Sequence, residues 1–182
     1  MELNRQELIT TLSNRVESHT GAAVSIFQNL TESELSKPSV AGGWSVAQCL
    51  GHLNSYGNYY LPKLRGVLSS APQSNTLVFK SGFLGNYFTN MMEPSDKKYK
   101  AMKGHIPNTG LAAHAVVAEF IKQQEELLKL LEMANSRLLD KRIPISISKL
   151  IRLKTGDVFR FLIAHNDRHV QQALRNCVKM PV

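Results

Sequence analysis

Residues 158–176 read VFRFLIAHNDRHVQQALRN, and this stretch decides the fold. Apolar and functional side chains recur at steps of three and four. One stripe runs Val158, Leu162, His165, His169, Gln172 and Asn176. A second, beside it, runs Phe159, Ile163, Val170, Leu174 and Cys177. Adjacent stripes at this period describe a helix with a broad inward face. His165 and His169 therefore lie where the helix should pack. Their spacing of four puts both imidazoles on one side, about a turn apart. Two neutral imidazoles so placed can hold one divalent metal. Buried imidazoles need partners in any case. The residues between them are Asn166, Asp167 and Arg168. The hydrolase motif HExxH is thus not met, and its glutamate base is missing.

Working back along the chain, the same period returns three times. Leu8, Leu12, Val16, Ala23, Ile26 and Leu30 predict one long helix, with Gly21 as a weak point. Residues 31–43, rich in Ser, Pro and Gly, read as a loop. Ser45 with Gln48 fits a capping box, and Trp44 sits where a hydrophobic staple begins. The stripe Val46, Leu50, Leu53, Gly57, Tyr60, Leu64 and Val67 follows, with Pro62 predicting a kink near Asn58 or Tyr59. Residues 69–110 are mixed, with a short helix expected over 79–92. A third long helix is predicted over 111–138, on the seam Val116, Phe120, Leu127, Leu131, Ala134 and Leu138. Ile143, Ile145 and Ile147 alternate within the connection 140–154, where a short extended piece is expected. The fourth helix starts near Thr155 or Asp157 and runs towards Cys177. The expectation is an all-α four-helix bundle forming a single domain over 1–182. The long connection between helices two and three has room to cross the bundle.

The 182 residues carry 22 Lys and Arg against 14 Asp and Glu, a formal charge of +8. That balance permits an acidic partner without requiring one. The basic residues cluster as Lys97, Lys98, Lys100 and Lys103, and as Lys141, Arg142, Lys149, Arg152 and Lys154. Both clusters fall in connections and lack an aromatic platform or a groove-reading helix, so nucleic acid is not the expected partner. No stretch matches the ~18 apolar residues of a membrane span, and the N-terminal residues 1–13 do not read as a secretion signal. Two cysteines, Cys49 and Cys177, make no disulfide framework and fit a reducing cytoplasm.

A third metal ligand must come from another helix, and His52 is the candidate. Cys49, His52, Tyr56 and Tyr59 share a face of the second helix. A core histidine satisfied by a carbonyl is the competing reading of His52. Cys49, in a first helical turn where a thiolate is favoured, reads more plainly as a small core residue. Tyr56 and Tyr59 either line a pocket or belong to the core with a wet hydroxyl. Gln172, one turn beyond His169, either orients a ligand or is simply a polar residue at the bundle end. No catalytic residue is assigned. Asp167 should point away from the metal side, which leaves Glu93 or Asp96 in the crossover as sources of a base. Gly43-Trp44-Ser45-Val46-Ala47 approaches a nucleophile elbow but has no preceding strand. His114 reads as a partly exposed residue at a helix start, and His19 and His105 have no evident companions.

Taken in order, Trp44-Ser45, then Cys49-Leu50-Gly51-His52-Leu53, then His165-Asn166-Asp167-Arg168-His169-Val170-Gln171-Gln172 resemble the DinB-like (YfiT/DinB) superfamily of metal-dependent enzymes. The resemblance spans most of the chain. It implies a four-helix bundle of up-down-down-up topology. It implies a divalent metal, zinc or nickel, on His52, His165 and His169. It also implies a homodimer and a small-molecule substrate. Some members are thiol S-transferases that use a low-molecular-weight thiol, and others carry the label of hydrolase. Three histidines leave open coordination positions, as catalytic metal sites do. The alternatives are a non-catalytic helical binding module and a basic nucleic-acid-binding domain.

Overall fold

A computed structural model of the chain describes residues 1–40, 42–95, 103–108 and 110–177. Four long helices form the bundle: α1 (Arg5–Ser25), α3 (Val46–Ser70), α5 (Ala113–Ala134) and α6 (Thr155–Cys177). Two short helices, α2 (Glu32–Ser36) and α4 (Phe83–Met92), lie in the connections. Strand β1 (Glu2–Asn4) pairs antiparallel with β2 (Val78–Lys80), and β3 (Arg142–Ile145) with β4 (Ser148–Lys154). The extended piece expected from the alternating isoleucines is thus a hairpin, with Ile143 opposite Leu153 and a register shift after Pro144.

Each of α1 and α3 packs against both α5 and α6. The first two long helices of the chain therefore sit diagonally across the bundle, and α3 lies directly against α6. Two buried clusters fill it. One gathers Tyr60, Leu64, Leu131, Phe159 and Ile163. The other gathers Phe27, Leu50, Leu53, Phe120 and Val170. On α6 His165 and His169 fall between these clusters, and on α3 His52 lies at the edge of the second.

The helix ends follow from specific partners. Ser45 accepts from the Gln48 amide, and Gln48 returns the bond to the Ser45 amide, which completes the expected capping box. The first helix is shorter than its apolar stripe. Ile26 leaves helical geometry at φ −120°, ψ −66°, and a 3-10 turn over Phe27–Asn29 buries Phe27 instead. Within the expected loop, Thr31 and Glu34 form a second capping box and start α2. Helix α5 has no capping side chain of its own at Ala112. The Glu32 carboxylate of α2 takes the amides of Ala113 and His114, where the helix dipole favours an anion. At the other end of α5, the buried Arg5 guanidinium donates to the carbonyls of Ala134 and Arg137. Helix α4 reaches α6 by close approach at Gly85. A Cβ there would stand 2.1 Å from Cγ of the buried Asp157, which in turn takes Ser81 and the Gly82 amide.

Candidate metal centre

His52 projects from the middle of α3 and His165 and His169 from α6, so the packing of these two helices brings the three imidazoles together. One nitrogen from each lies within 4.8 Å of the other two. His52 and His165 are each only 3% exposed, and His169 is half-buried. The rings cluster edge to face, with centroids 4.6–4.9 Å apart.

Bonding partners fix which nitrogen two of the rings present. Nδ1 of His52 lies 2.6 Å from the His105 carbonyl oxygen, which can only accept, so Nδ1 carries the proton and Nε2 the lone pair. Nδ1 of His169 donates to Oε1 of Gln172 at 2.9 Å, leaving Nε2 with its lone pair. Gln172 is thus the acceptor behind His169. Nε2 of His165 stands 3.1 Å from Nε2 of His52, while its buried Nδ1 has no partner among the described residues. Two ring nitrogens at that distance need a proton or a cation between them. Two nitrogens on one zinc, at bond lengths of about 2.0–2.1 Å, fall roughly 3–4 Å apart. The donor set, neutral and uniformly imidazole, fits a divalent transition metal.

Burial keeps all three rings neutral. Desolvation draws His52 down to about 4 and His169 down to about 3. It draws the wholly enclosed His165 well below the ordinary histidine value, helped by its histidine neighbours. Neutral imidazole is the form that ligates.

Aromatic rings wall the cluster. Trp44, expected as a staple, stacks on His169 with centroids 5.6 Å apart and lies 4.9 Å from His52. Tyr56 meets His165 edge-on at 4.4 Å, and Phe161 stacks on His165 at 6.0 Å. Tyr59 turns elsewhere: its hydroxyl donates to the carbonyls of Pro144 and Ile145 in the hairpin. Cys49 is fully buried in the second core cluster, and desolvation pushes its thiol up to about 12. The first-turn position does not make it a thiolate, because burial outweighs the helix terminus.

The two described carboxylates considered as a base are both paired. Asp167 turns from the three histidines and bonds Arg15 and His19 of α1. Glu93 chelates the same Arg15 through two bonds of 3.0 and 2.9 Å. Asp96 lies outside the described residues. Arg168 reaches the carbonyls of Met91, Met92 and Glu93 and ties the start of the crossover to α6. His114 stays exposed, 3.8 Å from Glu32. Two histidines have companions that sequence order hides. His19 finds Asp167, and His105 stacks on Tyr56 at 3.9 Å while bonding Ser55.

No curated protein matches this sequence significantly. The fold resembles a solved structure described as YfiT from Bacillus subtilis, a probable metal-dependent hydrolase with an unusual four-helix bundle topology. The TM-score is 0.54 at 16% identity, over 97% of this chain and 87% of that one. The family model of the DinB superfamily matches residues 15–173, a stretch that holds all three clustered histidines. The chain belongs to the DinB superfamily.

Proposed function

We propose that His52, His165 and His169 hold one divalent cation, zinc or nickel, through their Nε2 atoms. On this reading the protein is a metal-dependent enzyme acting on a small molecule. The observation that carries it is the convergence of three neutral imidazoles, two of which have the opposite nitrogen engaged by a hydrogen-bond acceptor. That arrangement aims lone pairs at one point. Bound there, the cation would lower the pKa of a water to about 7 or deprotonate a thiol outright.

The surroundings favour the thiol. Glu93 and Asp167, the described candidates for a base, are both ion-paired with Arg15. Thiol activation needs no such base, which points to transfer of a low-molecular-weight thiol onto an electrophile. Trp44, Tyr56 and Phe161 supply an apolar wall for the electrophile's carbon skeleton. Hydrolysis is the second reading, favoured by the description of the YfiT fold relative. The two free cysteines suit a reducing, cytoplasmic setting, and the family resemblance supports a homodimer.

Elemental analysis of untagged protein, purified without added metal, tests the site. About one zinc or nickel per chain is expected, and none in the H52A/H165A/H169A variant. Metal retained by that variant, or wild-type protein that refuses added zinc and nickel, overturns the assignment. Thiol-conjugation and ester-hydrolysis screens on the loaded protein then separate the two chemistries.

A further inference from the structure

Three hydrogen bonds close a ring that begins and ends on His52. The His52 imidazole donates from Nδ1 to the His105 carbonyl at 2.6 Å. The Ser55 hydroxyl lies 2.7 Å from the His52 carbonyl, one turn back on α3, and must donate there. Its oxygen is therefore left to accept, and Nδ1 of His105 lies 2.8 Å away. His105 consequently carries its proton on Nδ1. The backbone of His105 orients His52, its ring is moored by Ser55, and the carbonyl of His52 moors Ser55. The ring spans 53 residues of sequence, from α3 to the 3-10 turn at Lys103–His105. Tyr56 stabilises it by stacking on the moored imidazole at 3.9 Å, with the planes 28° apart.

We propose that Ser55 and His105 are positioning residues for the cation: Ser55 anchors the turn whose carbonyl locks His52 in the Nδ1–H form, with Nε2 presented to the metal. The proposal rests on the metal reading above. No other group among the described residues holds Nδ1 of His52, and the 3-10 turn is three residues long. Without the Ser55 hydroxyl, the His105 ring loses its acceptor and the carbonyl its fixed place. Partners of this kind, acting behind a ligating histidine, typically change metal affinity 10–100-fold.

The test is competition titration of zinc into the metal-free full chain, comparing wild type with S55A, S55T and Y59F. S55A should weaken zinc about 10–100-fold while keeping the same stoichiometry at saturation. S55T, which restores a hydroxyl, should recover most of the affinity. Y59F removes a hydroxyl from the same helix that, among the described residues, bonds only the hairpin, and should bind zinc as wild type does. A second measurement needs no metal. Imidazole nitrogen NMR of the metal-free protein should show His52 as the Nδ1–H tautomer in wild type and S55T, and as a mixture in S55A. Zinc binding by wild type with unchanged affinity in S55A overturns the positioning role and leaves the three-histidine site standing. Failure of wild type to bind zinc overturns the metal reading and this role with it. A His52 tautomer that is the same in wild type and S55A overturns the hydrogen-bond ring by itself.

Discussion

Cys49 and His52 stand three residues apart on one helix face, and their environments send them to opposite fates. Both are buried. Burial favours the neutral form of each, which silences a thiol but equips an imidazole to ligate. Thiol labelling at pH 8 should therefore modify one cysteine in the native chain, Cys177, and two after denaturation. Two equivalents reacting at the same rate in the native protein would contradict the burial of Cys49. Of the three clustered histidines, two were marked by their own spacing, while the third was one of two open readings on its helix face that only the family resemblance selected. The hydrogen-bond ring was not. His105 looks solitary because its partners, His52 and Ser55, lie 53 and 50 residues away, and no period links a loop to a helix. His19 is hidden in the same way from Asp167, 148 residues distant.

At the scale of elements, interiors were legible and ends were not. Apolar period located all four long helices, because burial of a stripe is what stabilises them. Their ends answer to residues remote in sequence: Glu32 takes the first amides of α5, and Arg5 takes the carbonyl of its last residue, Ala134. Helix α2 was missed although its capping box, Thr31 to Glu34, stands in the sequence, since five residues are too few to show a period. Arg5 carries a measurable share of this end-fixing. Its guanidinium serves the carbonyls of Ser74, Thr76, Ala134 and Arg137, joining the start of the chain to the end of α5. Arg5→Ala should lower unfolding stability by about 2–4 kcal/mol, since hydrogen bonds to charged groups contribute about 1.5–3 kcal/mol each and not all are lost to water. Urea unfolding at constant m-value reads this directly. Arg5→Lys should recover only part, because an ammonium lacks the planar fork. A loss below about 0.5 kcal/mol would mean that solvent replaces the guanidinium at no cost.

For the whole molecule, three neutral imidazoles packed together make folding sensitive to acid. Unfolded histidine titrates near 6.5. In the folded metal-free protein His52 titrates near 4 and His169 near 3, with His165 also well below its ordinary value. Between about pH 6.5 and 4 the unfolded chain thus binds more protons than the folded one, so stability rises with pH across that window and falls as pH drops through it. Each histidine contributes a slope of up to about 1.4 kcal/mol per pH unit. Urea midpoints of metal-free protein should fall steadily from pH 7 to 4.5, and H52Q/H165Q/H169Q should flatten that fall. Equal slopes in the two proteins would show that other groups govern the acid response.

The diagonal placement of α1 and α3 has a consequence for how the molecule is made. The facing nitrogens of His52 and His165 come from residues 113 apart, and the pair forms only once α6 lies against α3. Bringing such distant segments together carries a loop-closure cost that local helix formation does not recover. No nascent chain or proteolytic fragment lacking α6 can therefore assemble the cluster, however well its remaining helices form. Until α6 docks there is no centre, and a cation seated there would act as a clasp between α3 and α6.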